Sequence, residues 1–327
     1  MRQAITKALL FACVAGMACV NALAADATTY PDRPVRILVG FVPGGPSDLC
    51  TRVVARALTQ TFGQQFIVEN KPGASGGIAA TAVATAAPDG YTLLTNVVSD
   101  IITPLANKNA GYNLERGFVP IGLISSAPNV LVVHTSVPVA SVQELVAHAR
   151  KNPNTLNYGS AGTGTVSHLA GALLASEAGI AITHVPYKGT AGAQMDLLAG
   201  RITMMFDNLA NGFANAKAGK VKALAVTSLR RWPSEPDVPT MSESGFPGAT
   251  ILSVFGLMAP AGTPAPLVAK LSDALAKTLQ NEEYRKNIIQ TGTEPGAMAA
   301  AEYGKYIGDE SRRWERFLSK NPNIMGD

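Results

Sequence analysis

The chain is short of cysteine, of aromatic residues and of charge, and each shortage removes a class of explanation. Only 3 cysteines occur in 327 residues. Cys13 and Cys19 fall in a leader-like N-terminal stretch, which leaves Cys50 alone and rules out an internal disulfide in the mature chain. Cys50 lies among Leu49, Val53 and Val54 at helical spacing, the setting of a buried structural thiol. His134, His148, His168 and His184 are scattered, with no HExxH and no cysteine partner, so no metal ligand set is present. Charged residues are 15% of the chain, the formal charge is +4 and no basic block occurs, which argues against nucleic acid or a membrane surface as partner. No apolar run beyond the N-terminus approaches the ~20 residues of a membrane-spanning helix, so the mature chain is expected to be soluble.

Nucleotide and hydrolase signatures are missing as well. Pro43-Gly44-Gly45-Pro46 has neither the lysine nor the spacing of a P-loop, and it does not fit GxGxxG. Gly159-Ser160-Ala161-Gly162 misses the GxSxG elbow by one position. His168 is near Ser160 and Ser167 without a spacing that would make a catalytic pair, and Lys188 stands in a turn. No catalytic residue and no cofactor is expected; the sequence reads as a binder rather than an enzyme.

What the chain does contain begins with its leader. Arg2 and Lys7 precede the apolar stretch Ala8–Val20, and Ala22-Leu23-Ala24 places small residues where a signal peptidase reads them. Cleavage after Ala24 makes residues 1–24 a signal peptide and lowers the formal charge to +2, because Arg2 and Lys7 leave with it. Strand and helix signals then alternate. Val35–Phe41 reads as a strand, Ser47 as the cap of a helix to Phe62, Phe66–Glu69 as a strand, Ile78–Ala86 as a helix and Tyr91–Asn96 as a strand. The pattern resumes at Val130–Val133, with a capping box at Ser141–Glu144 and strands at Leu156–Ser160, Thr183–Val185, Met204–Asp207 and Ala223–Thr227. Helices are expected from Thr165, from Gly189 and, capped by Thr263 ahead of Pro264, over most of the C-terminal region. Such alternation implies an α/β fold of two units with mainly parallel sheets.

Three strand-to-helix connections share one design: Pro43–Ser47, Asn96–Ser99 and Ser160–Thr165. In open α/β sheets ligands bind at the carboxyl ends of the strands, where such loops meet. Glycine admits close backbone approach, and a helix start offers unpaired N–H donors with partial positive charge. The pattern suits a small anion without calling on arginine.

Several segments are similar to a known family. Tyr30-Pro31-Asp32-Arg33-Pro34-Val35-Arg36, Pro43-Gly44-Gly45-Pro46-Ser47-Asp48, Ala87-Pro88-Asp89-Gly90-Tyr91, Leu156-Asn157-Tyr158-Gly159-Ser160 and His184-Val185-Pro186-Tyr187-Lys188-Gly189 resemble the Bug family, the periplasmic solute-binding proteins of tripartite tricarboxylate transporters. The resemblance extends in order over nearly all of the mature chain. It implies a type II periplasmic-binding-protein fold closing on its ligand, with residues 25–124 plus 254–327 as lobe one and 125–253 as lobe two. It further implies a periplasmic monomer that takes a di- or tricarboxylate or an aromatic acid. The partner would be a two-subunit inner-membrane transporter or, alternatively, a sensor kinase. By position the implied contacts are Phe41, Pro43, Gly44, Gly45, Ser47, Asn96, Ser99, Ser160, Gly162, Thr163, Thr165 and Asp207, with hinges near Ser125–Ala127 and Ser253–Phe255. Asp48 is expected to orient its own helix, and Asp207 either to cap the helix from Asn208 or to read the ligand. A valine at Gly45 is expected to block the first loop. Departures from the family pattern, namely Pro46, Cys50 and the segment Val97–Pro104, bear on ligand identity rather than fold.

Overall fold

The computed structural model describes residues 29–322 and 324–325, and the leader expected at 1–24 lies outside them. In the first part of the chain β1 (Val35–Val39), α1 (Pro46–Phe62), β2 (Phe66–Asn70), α2 (Gly77–Ala84), β3 (Thr92–Asn96), α3 (Val98–Ala106) and α4 (Leu114–Gly117) follow one another. A long strand, β4 (Phe118–His134), leads to α5 (Val142–Lys151), β5 (Asn157–Ser160), α6 (Val166–Ala178), β6 (Thr183–Pro186), α7 (Thr190–Leu198), β7 (Met204–Asn208), α8 (Leu209–Lys217) and β8 (Val221–Val226). The chain returns along β9 (Leu252–Pro260) and ends with α9 (Ala265–Gln280), α10 (Glu282–Gln290), β10 (Glu294–Pro295) and α11 (Ala300–Lys320).

The strands run β2-β1-β3-β9-β4-β7-β5-β6, with β8 and β10 also pairing with β4. On one flank β1 pairs in parallel with β2 and β3; on the other β5 pairs in parallel with β6 and β7. Every pairing of β4 and β9 is antiparallel, so the sheet is mixed rather than mainly parallel. The reason is that β4 carries the chain out of the first half and β9 carries it back in the opposite direction. Over Phe118–Pro128 strand β4 pairs with β9, and over Asn129–His134 it lies between β7 and β8. The register slips between Pro120 and Gly122 and between Leu123 and Ser125, as expected where one strand must bend to serve two halves.

Burial follows the strand pattern. Val35, Ile37 and Val39 are fully buried in β1, together with Val130–Val133 in β4. One apolar cluster sits under α1, α9 and α10, and another under α7 and α8. The largest runs without a break from Ile101 and Ile102 of α3 to Leu169 and Leu173 of α6, and takes in Tyr303 and Trp314 of α11. The two halves therefore share a core on one side. Among the described residues no helix is long and apolar enough to cross a membrane.

Two helix starts differ from expectation by a residue or two, and a third keeps its cap residue but not its full capping box. Gly45, not Ser47, is the cap residue of α1, because Pro46 supplies the first helical position. The cap of α9 is Pro264; the Thr263 hydroxyl turns back to donate to the Pro260 carbonyl at 2.7 Å. Ser141 does accept from the Glu144 N–H at 3.1 Å, but the Glu144 carboxylate reaches the Ala140 N–H rather than closing the box.

Candidate functional site

The carboxyl ends of β1, β3, β5, β6 and β7 open onto one cavity of about 160 Å³. An engineered cavity of about 150 Å³ holds a benzene-sized molecule, so the space suits one small solute. Its wall is made from the starts of five helices. Pro46 and Ser47 come from α1, Val98 and Ser99 from α3, Val166 and Ser167 from α6, Thr190 from α7, and Asn208 and Ala210 from α8. Strands β4 and β9 close the back with Ala127, Pro128, Asn129, Ser253, Val254 and Phe255, and Thr291–Thr293 adds a final edge. Each helix start carries N–H groups with no partner inside the helix and partial positive charge, which together favour an anion.

The expected contact residues divide. Phe41, Ser47, Ser99 and Thr165 line the cavity. Pro43, Gly44 and Gly45 form the approach to α1 and do not line it; the Gly44 N–H donates to Asp48 Oδ2 at 3.0 Å. Asp48 also accepts from Arg52 Nε and Asn70 Nδ2, both at 3.0 Å, so it does organise its own loop. Burial alone would raise the Asp48 carboxyl, but the Arg52 guanidinium, the Gly44 N–H and the Asn70 amide outweigh it and hold the group below its usual range. Gly45 is extended at φ −77°, a conformation open to any residue, whereas Gly44 has φ +86°. The strained position in this loop is thus Gly44, not Gly45.

Asn96 is fully buried behind the cavity, where its Oδ1 accepts from the Tyr303 hydroxyl at 2.9 Å. Asp100, next to it in α3, accepts from the Val97 N–H at 2.8 Å, and burial raises its carboxyl to about 7. Ser160 faces away from the cavity and shares a 2.6 Å hydrogen bond with His184 Nε2, not with His168. The His184 and His168 rings stack with centroids 4.0 Å apart, and His168 Nδ1 accepts from the Gly164 N–H at 3.0 Å. Burial lowers both histidines, His168 to about 3 with added repulsion from His184, and His184 to about 4. The pair is neutral and holds the β5–α6 loop. Within that loop Gly162 accepts from the Thr165 hydroxyl at 2.6 Å, and the Thr163 carbonyl accepts from Ser75 Oγ at 2.6 Å.

Asp207 is 1% exposed and lies outside the cavity wall. Its Oδ2 accepts from Gln194 Nε2 at 2.8 Å and its Oδ1 from the Asn208 N–H at 2.8 Å. Burial raises it to about 6 against the lowering effect of those two bonds. The cap of α8 is Asn208, whose Oδ1 accepts from the Asn211 N–H at 3.1 Å, so the capping role expected of Asp207 belongs to its neighbour. Sequence reasoning missed Phe206, Asn208, Thr190 and Thr291–Thr293. The first three follow the same strand-to-helix logic as the loops it found, without the glycine signal; nothing in the sequence marks the fourth.

Two α/β halves joined by long strands, with a cavity ringed by helix starts, define the ligand-receptor class of periplasmic binding proteins. Residues 50–322 match the family described as tripartite tricarboxylate transporter family receptor, and the chain belongs to that family. A UPF0065 protein from the tcbD-tcbE intergenic region of Pseudomonas sp. (strain P51) is 37% identical, covering 88% of this chain and 86% of its own length. BugT of Bordetella pertussis is 33% identical over 88% and 89%. Among solved structures, R. palustris Rpa4515 with adipate has a TM-score of 0.81 at 35% identity, covering 89% of this chain and 97% of that one. MatC from Rhodopseudomonas palustris with bound malate has a TM-score of 0.79 at 33% identity, covering 88% and 99%.

Proposed function

We propose that the protein is a periplasmic receptor that captures a small carboxylate between two lobes and delivers it to a two-subunit inner-membrane transporter. The observation that carries this reading is the cavity ringed by five helix starts. Such a wall holds an anion through N–H groups and hydroxyls. The relatives with adipate and malate support the carboxylate chemistry. Phe41, Ser47, Ser99 and Thr165 are the direct contacts in this reading; Pro43–Gly45, Asn96, Ser160, Gly162, Thr163 and Asp207 shape the loops that carry them. Lobe one comprises residues 25–124 and 254–327, lobe two 125–253, and a signal peptide of residues 1–24 directs export. The receptor is proposed to act as a monomer.

A ligand that binds only the folded state stabilises it by RT ln(1 + [L]/Kd), about 2.7 kcal/mol at a hundredfold excess over Kd. The test is a thermal-shift screen of mono-, di- and aromatic carboxylates, run after unfolding and refolding to strip any co-purified ligand. An upward shift with at least one carboxylate is expected. A properly refolded protein that responds to none of them refutes the reading.

A further inference from the structure

The distribution of charge around the cavity narrows its ligand. Among the described residues no charged side chain belongs to the wall. Three of the five helix starts already have a carboxyl of their own: Asp48 in the first turn of α1, Asp100 in the first turn of α3, and Asp207 directly ahead of α8. Each already accepts a backbone N–H at the approach to its helix: Asp48 from Gly44, Asp100 from Val97 and Asp207 from Asn208. The first turns of α6 and α7 hold no acidic residue. These two ends bring Thr165, Ser167 and Thr190 to the wall. The Thr165 hydroxyl is taken by the Gly162 carbonyl, and Ser167 Oγ is shared with Thr165 and accepts from the Ala161 N–H, so the start of α6 offers its backbone N–H groups and that of α7 adds the Thr190 hydroxyl. Ser47 adds a hydroxyl that has no partner among the described residues, although the residue is only 5% exposed and faces the cavity.

The polar groups at the back of the cavity are already in use. Asn129 Nδ2 donates to the Phe206 carbonyl and its Oδ1 accepts from Ser253 Oγ. The Thr291 and Thr293 hydroxyls both donate to the Ile288 carbonyl. Phe41, Phe206, Phe255, Val98, Val166 and Val254 make up much of the remaining wall. A second carboxylate set against these groups would lose its hydration with neither a cation nor a free donor to replace it. An aromatic face in the same place gains from burial and ring contact.

We propose that the cavity takes a monocarboxylate with an aromatic or similarly apolar body. Its one charge rests on the starts of α6 and α7, and its body lies against Phe41, Phe206 and Phe255. This rests on the carboxylate-receptor reading and narrows it. Isothermal titration of the refolded protein with benzoate, adipate and malate separates the two levels. Benzoate is expected to bind at least about tenfold more tightly than either dicarboxylate. Adipate or malate binding as tightly as benzoate, or more tightly, overturns the monocarboxylate proposal and leaves the receptor reading in place. Absence of binding by all three, with an intact unfolding transition, overturns both. In Phe41→Ala, benzoate affinity is expected to fall about tenfold and malate affinity by less. An equal loss for the two acids also overturns the proposal, because the ring would then not be reading the body of the ligand.

Discussion

At Gly44 the backbone takes φ +86°, a region where any Cβ is strained, while its neighbour Gly45 is extended. Gly44→Val is therefore expected to cost about 1–2 kcal/mol and to weaken ligand binding through the displaced start of α1. Gly45→Ser places a preferred cap residue where the backbone already suits it, and should leave the melting temperature unchanged or slightly raised. Calorimetry of the two variants checks the contrast. Buried carboxyls give a second test. The Asp207 carboxyl rises from an ordinary 3.8 to about 6, so the folded state holds its proton longer than the unfolded state. Its contribution is fully present below about pH 4 and is lost as pH rises through about 6. Asp207→Asn keeps an acceptor for Gln194 and should flatten that decline, read from stability curves between pH 4 and 7. The histidines act in the opposite sense. Their folded values lie below the usual 6.5, so stability falls as pH drops from about 6.5 toward 4 for His184 and 3 for His168. His184→Gln should make the acid limb shallower.

The segment Gly73–Gly76 has four successive residues with positive φ, among them Ala74 at 48° and Ser75 at 53°. Strain of this kind persists only where surrounding contacts enforce it. Here Ser99 Oγ donates to the Ser75 carbonyl and Ser75 Oγ donates to the Thr163 carbonyl, each at 2.6 Å. The segment thereby ties the β3–α3 connection to the β5–α6 loop. Ser75→Ala should remove about 1 kcal/mol from the contact between the two loops, read as a lower melting temperature and, through the displaced loops, weaker ligand binding. Titration beside calorimetry tests it. Elements with strong local pattern, such as α1, β3 and α6, were legible in the sequence. Strand β4 was legible only over Val130–Val133, because Pro120, Gly122, Ser125, Ser126 and Pro128 interrupt its first eleven residues. Those residues are held in strand by pairing with β9 some 130 positions away, and no local signal reports that partner. The cavity was legible in the same measure. Its glycine-marked loops could be found from local pattern, whereas Phe255 and Thr291–Thr293 arrive through topology.

For the whole molecule the proposed event is closure of the lobes. A ligand that touches both favours the closed state by its differential affinity. Scattering of the apo protein and of the protein saturated with an identified ligand should show a smaller radius of gyration in the second. An unchanged value would mean that the lobes do not move. The proposed hinge residues face each other as Ser125↔Phe255, Ser126↔Val254 and Ala127↔Ser253, with Glu294 and Pro295 of β10 paired on the far side. Three strands in fixed register can bend or twist together, but a one-residue slide would turn every side chain to the wrong face. The same pairing has a consequence for how the protein is made. β3 has β9 as its neighbour, joining Leu94 to Met258 and Asn96 to Gly256, so the first half stays open-edged until the second half has been synthesised. An exposed strand edge invites pairing with other chains. A nascent molecule ending before Leu252 would thus be a template for aggregation rather than a folded lobe, and α9 to α11, which also cover that first half, arrive only at the end of synthesis.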